Sequence, residues 1–192
     1  MQKNSKYMIF KHKELVDACA LNDKIAQMKI YNLYFKAMYN TSYHIVNDKF
    51  VAEDIMQDAF IDVFNKVATF EWRSSFGSWL KRIVVNKSID FIKKNKKTIS
   101  LSEEMENYNA GIIEEDDEIF DCAQCKLEDI KQSIESLSSN YRTILVLHLF
   151  DGYDHQEISQ ILDISYNSVR VRYMRARRIL VEKISPLINN TK

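Results

Sequence analysis

Two groups of side chains in this sequence have the chemistry of polyanion binding, and none has the chemistry of bond making. The stretch "YNSVRVRYMRARRIL" (166–180) holds five arginines, Arg170, Arg172, Arg175, Arg177 and Arg178. A guanidinium is a planar fork of donors that fits phosphate oxygens or the edge of guanine, so this density of arginine suits a nucleic acid. In "SFGSWLKRIVVNKSIDFIKKNKK" (75–97), Trp79, Arg82, Asn86, Lys93 and Lys97 recur at helical steps and gather on one side. An aromatic face stacks on any base while the cations track phosphates, and that combination suits unpaired bases. Trp79 alone would read as a core residue, and its polar and basic company tips the balance toward binding. Nucleophile–base pairs, phosphate-cradling glycine loops and clustered carboxylates are absent, so no enzyme is expected. Cys122 and Cys125 form a lone C-x-x-C pair, and zinc needs about four ligands. His12, His44, His148 and His155 are scattered along the chain, so no metal and no cofactor is expected.

The elements that must position these groups are helices. Apolar residues make up 46% of the 192, with only three glycines and one proline, which leaves little turn or bulge chemistry and predicts an all-α fold. In "VAEDIMQDAFIDVFNKV" (51–67), Ala52, Ile55, Met56, Ala59, Val63, Phe64 and Val67 fall at steps of three and four and form one buried stripe. Glu53, Asp54, Gln57, Asp58 and Asp62 occupy the opposite face, with Phe60 and Ile61 toward it. Acids beside apolar groups could be a solvated surface or a dock for a basic partner helix. Along 75–97, Phe76, Leu80, Ile83, Val84 and Phe91 are the expected buried side. "EISQILDISYNSVRVRYMRARRIL" (157–180) has a helix-turn-helix pattern: an apolar stripe of Ile158, Ile161 and Leu162, a turn at "DIS", and Ser165 as the cap of a second helix. Asp163 stands where glycine is usual in such turns, and Asp tolerates the left-handed conformation better than most residues. In the second helix Val169, Tyr173, Ala176 and Leu180 are expected to be buried. Asn167, Arg170, Val171, Met174 and Arg178 then face outward, with Tyr166 and Ser168 at the N-terminal end, a layout that fits a major groove.

Net charge is zero, with 27 basic and 27 acidic residues, yet the signs are segregated. Lys81 to Lys97 has seven cations against Asp90, and Arg170 to Lys183 is opposed only by Glu182. Between them the sign reverses: Glu103, Glu104, Glu106, the run "EEDDE" at 114–118, Asp121, Glu128 and Asp129 face only Lys126. The pattern predicts two small helical domains, at 12–97 and 126–188, joined by an acidic flexible linker at 98–125. No apolar run is long enough to span a membrane or direct secretion, and the three cysteines lack a framework of pairs. A cytoplasmic protein without membrane insertion is expected.

Both modules, in this order, resemble the extracytoplasmic-function (ECF) sigma factors of bacterial RNA polymerase. The residues that carry the resemblance are "AEDIMQDAFIDVF" (52–64), "FEWRSSFGSWLKRIVVNKSIDFIKK" (70–94) and "GYDHQEISQILDISYNSVRVRYMRARRIL" (152–180). The resemblance implies a factor that binds core RNA polymerase and directs promoter-specific initiation. It assigns Asp54, Gln57, Asp58 and Phe60 to the clamp helices of the polymerase β′ subunit. Trp79, Arg82, Asn86, Lys87, Lys93 and Lys94 would serve recognition and melting of the minus-ten element. Tyr166, Asn167, Ser168, Arg170, Val171, Met174 and Arg175 would read the minus-thirty-five element, with the same helix near the β flap. It also implies an anti-sigma partner. Gly77, and lysine at 93 and 94, depart from the bulkier and arginine residues common at those positions. The chief rival, a helix-turn-helix regulator that is no polymerase subunit, leaves the first module unexplained.

Overall fold

The same tripeptide, Asn-Asp-Lys, occurs at 22–24 and 47–49, and each copy turns one helix into the next. The structure is a computed structural model that describes residues 12–99 and 127–189. Helix α1 (Lys13–Ala20) ends before Asn22, whose φ of 63° is left-handed, and Asp23 then caps α2 (Lys24–Val46). The Asp23 carboxylate accepts from the amides of Ile25 (2.8 Å) and Ala26 (3.2 Å). At the second copy Asn47 closes α2 with a φ of 57°, and Asp48 caps α3 (Lys49–Lys66) by accepting from Phe50 and Val51. Asn visits the left-handed region more readily than other non-glycine residues, and Asp satisfies amides that the first turn of a helix leaves without partners. The two devices fold α1, α2 and α3 back on one another.

A 3-10 turn (Val67–Thr69) and an irregular stretch lead into α4 (Phe76–Ile99). Ile30 and Ile45 of α2, Ala59 and Val63 of α3, and Leu80, Val84 and Val85 of α4 are fully buried. Where α2 meets α4 the residues are small. The buried Ser88 hydroxyl donates to Ser42 Oγ, and Gly77 lets the Tyr34 ring approach so closely that a Cβ there would stand 3.0 Å from Tyr34 Cε1. Gly77 therefore has a packing reason.

The second part begins with α5 (Leu127–Glu135) and α6 (Ser139–Leu149). Residues Thr143 to Leu147 of α6 are all buried, so this helix is covered on every side. Buried Arg142 donates from Nη1 to the carbonyls of Glu135 (3.1 Å) and Leu137 (3.0 Å), groups that the end of α5 leaves unpaired. Helix α7 (His155–Leu162) starts with a reciprocal cap: Asp154 accepts from the amides of Gln156 and Glu157, and the Asp154 amide donates to the Glu157 carboxylate. The long α8 (Tyr166–Asn189) completes the chain of helices.

All described regular structure is helical, as composition predicts. The chain divides into two compact units, residues 1–94 and 95–192. The acidic stretch 100–126, with Cys122 and Cys125, lies outside the described residues, as do the side chains of residues 96–99.

Candidate nucleic-acid and protein interfaces

The helix-turn-helix of the second unit is built by small polar side chains. Asp163 ends α7 in the left-handed conformation (φ 58°, ψ 48°), the conformation expected of Asp at a position where glycine is usual. Ser159 donates its hydroxyl to the Ile164 carbonyl at 2.6 Å, so this side chain fastens the turn. Ser165 caps α8 as expected, accepting from the Ser168 amide at 3.2 Å. Val169 and Ala176 are fully buried and Leu180 nearly so. That burial fixes which face of α8 remains outside. Tyr166 and Asn167 are exposed, and Ser168, Arg170, Val171, Met174 and Arg175 are half-buried along the same edge. Between Tyr166 and Val181 there is no acid. Tyr173 differs from its expected burial: it is half-buried, held between the rings of His148 (4.8 Å) and His155 (4.9 Å). The apolar stripe shares that position with two polar rings, and a phenol keeps its hydroxyl near water.

On α4, Arg82, Asn86, Lys93 and Lys94 are exposed, while Phe76, Leu80, Val84 and Ile89 are buried beneath them. Trp79 is half-buried. Its ring packs on Phe70 at 4.9 Å and Phe76 at 5.8 Å, so Trp79 is both an edge of the core and an aromatic surface. Lys87 behaves differently from its neighbours: its ammonium is 3.0 Å from the Asp62 carboxylate on α3. That hydrogen bond is the largest influence on the Asp62 carboxyl; burial opposes it, the charges of Lys87 and Lys66 reinforce it, and together they hold the carboxyl below the usual range. Lys87 thus ties α4 to α3. Sequence reasoning passed over Trp72, in the irregular stretch before α4. Trp72 has a left-handed φ of 57°, its ring contacts Phe70 at 4.9 Å, and the Lys13 ammonium lies 5.4 Å from its centroid. The signal was present in "FEWRSSFGSW", whose four aromatic residues form one contiguous group.

On α3, Glu53, Asp54, Gln57 and Asp58 are exposed. Phe60, which the resemblance places in the docking set, is 2% exposed, its ring packed at a tilt against Tyr31 at 4.9 Å and Phe64 at 5.9 Å. Its position one residue after Ala59 and four after Met56 places it on the buried stripe. Ile61 (59% exposed) and Phe50 (83%) supply the apolar groups of the acidic face instead. Phe50, Asp54, Gln57, Asp58 and Ile61 follow at steps of four, three, one and three, so they share one side of α3.

Comparison with known proteins bears on both units. Residues 30–98 match the family described as "Sigma-70 region 2", and residues 127–180 match "Sigma-70, region 4". The chain is 31% identical over 178 residues to the ECF RNA polymerase sigma factor SigW of Bacillus subtilis, covering 86% of this chain and 92% of that protein. It belongs to the ECF sigma factors. It is also similar to the sigma-E factor of Escherichia coli K12, 32% identical over 144 residues, 70% of this chain and 74% of that one. Two solved structures share the fold of this sigma factor. One is the sigma factor RpoE in complex with the anti-sigma factor NepR from Bartonella quintana (TM-score 0.54, 20% identity, 82% of this chain and 96% of that chain). The other is CnrH in complex with the cytosolic domain of CnrY (TM-score 0.50, 18% identity, 93% and 97%). The sigma factor directs promoter-specific initiation of transcription by RNA polymerase, and none of its described helices is long and apolar enough to cross a membrane.

Proposed function

We propose that the faces described above divide the work of initiation. The α3 face of Asp54, Gln57 and Asp58, with Phe50 and Ile61, docks on the clamp helices of the core polymerase β′ subunit, and Phe60 supports that face from below. Trp79, Arg82, Asn86, Lys93 and Lys94 on α4 engage the minus-ten element, with Lys87 bracing the helix through Asp62. Tyr166, Asn167, Ser168, Arg170, Val171, Met174 and Arg175 on α8 read the minus-thirty-five element as duplex, and the arginines of that helix approach the β flap. An anti-sigma factor is the expected regulator, since the neighbour RpoE was solved in complex with the anti-sigma factor NepR. The protein works in the cytoplasm as a binding factor without catalysis of its own.

The observation that supports this reading best is the edge of α8. An exposed N-terminal turn, five arginines and no acid before Glu182 follow a turn that holds the helix at a fixed angle. The energetics are those of differential binding. Unstacking a promoter base costs a few kcal/mol. Stacking on an aromatic side chain returns about 1–3 kcal/mol per base, and contacts to phosphates add to it. The stacking contact exists only with the opened strand, so it favours the melted promoter over the duplex. The deciding experiment mixes the purified protein with sigma-free core polymerase and a promoter library. Core binding and promoter-specific transcripts are expected, and their survival when the α3, α4 or α8 face is substituted would overturn this division of work.

A further inference from the structure

Beneath the outward edge of α8 three rings close on one another. His148 from α6, His155 at the start of α7 and Tyr173 from α8 have centroid separations of 4.8 to 4.9 Å. His155 also meets Tyr166 edge-on at 6.4 Å, so one imidazole touches two residues of α8 that lie two turns apart. Arg170 stands between those two residues in the sequence, and its charge reaches His155.

The hydrogen bonding of the cluster is lopsided. His148 Nδ1 lies 2.9 Å from the Tyr153 carbonyl, and a carbonyl only accepts, so Nδ1 bears the proton there. The Nε2 of His155 is buried with no hydrogen-bond partner. The titratable and charged groups around this ring are His148 on α6, Asp154 at the cap of α7 and Arg170 on α8. Burial first, then His148 and Arg170, push its proton affinity below the usual histidine range, and Asp154 alone opposes them.

We propose that His155 is a positioning residue for DNA reading: its neutral ring, wedged between Tyr166 and Tyr173 against His148, sets the first turns of α8, and protonation blunts discrimination of the minus-thirty-five element. The inference rests on the assignment of Tyr166 and Arg170 to DNA. A charged imidazole donates from both nitrogens, and its buried Nε2 has no acceptor, so the ring must turn toward water, and it adds a cation beside Arg170. Phosphates attract any added cation, whereas base edges reward only fixed geometry, so specificity suffers before overall affinity does.

The test uses reconstituted holoenzyme on a promoter it has itself selected. It measures binding to that promoter and to a copy with a scrambled minus-thirty-five element, at pH 7.5 and about pH 5, well below the usual histidine range. For the unaltered protein the ratio of the two affinities is expected to fall about fivefold or more on acidification, the lower end of what one lost base contact costs. His155→Ala should lower the ratio at both pH values, and His155→Phe, which keeps the ring without the charge, should recover it and flatten the pH response. The proposal is overturned if His155→Phe follows the pH curve of the unaltered protein, or if His155→Ala matches that protein at pH 7.5. Arg170→Ala separates the two levels. An unchanged ratio in that variant removes the assignment of Arg170 to base reading on which the proposal rests, while a lowered one alongside either overturning result removes only the role of His155.

Discussion

Phe60 and Ile61 are adjacent on α3, and a single residue step around the helix sends them to opposite environments. Phe60→Ala should destabilise the first unit by about 3–5 kcal/mol, the usual cost of truncating a buried Phe, seen as a lower denaturant midpoint. Ile61→Ala should leave stability near its starting value and weaken binding to core polymerase by about 1 kcal/mol or more, as truncation of an interface anchor does. Equal effects of the two in a core-binding titration would contradict the α3 docking face. Trp79→Ala is expected to slow open-complex formation more than duplex binding, because stacking on an unpaired base is available only after melting. Arg170→Ala should cost about 1–3 kcal/mol and relax preference at one base position, whereas a loss uniform across sequences would make Arg170 a phosphate contact.

At the scale of the element, short polar caps decide where each helix points. Ser165→Ala should destabilise the second unit by about 1 kcal/mol, a typical loss for an N-cap, measured by thermal melting. The same unit carries the pH dependence of His155. Its ring binds a proton less readily in the fold than in the unfolded chain, so acid drives the equilibrium toward unfolding. Stability is complete above the ordinary histidine range and is lost as pH falls below about 6.5. The melting temperature should therefore drop between pH 7.5 and 5.5, and His155→Phe should shrink that drop.

For the whole molecule, a net charge of zero hides strong segregation. Helix α8 has five arginines and Lys183 against Glu182, and α4 is similarly one-sided. Promoter binding should thus depend steeply on salt despite the neutral total, since each neutralised phosphate releases counterions. Lys93 and Arg175 belong to different compact units, so Lys93→Ala and Arg175→Ala should weaken promoter binding additively, within about 0.5 kcal/mol. A coupling much larger than that would mean that the two surfaces do not act as separate contacts.

Helical periodicity, sparse glycine and proline, and the segregation of charge were legible in the sequence because they depend on local spacing alone. So were the cap at Ser165 and the left-handed Asp163, whose conformations depend on side chains a few residues away. The fate of residues at the margin of a helical stripe was not legible. Phe60 and Ile61 differ by about 100° around α3, and only the place of Tyr31 on α2 decides which of them is covered. Lys87 looked like one more cation of a basic face until α3 brought Asp62 beside it. His148, His155 and Tyr173 come from three helices, and Trp72 meets Lys13 across most of a unit's sequence. Contacts between elements depend on how helices cross, and the packing of the complete core sets that geometry.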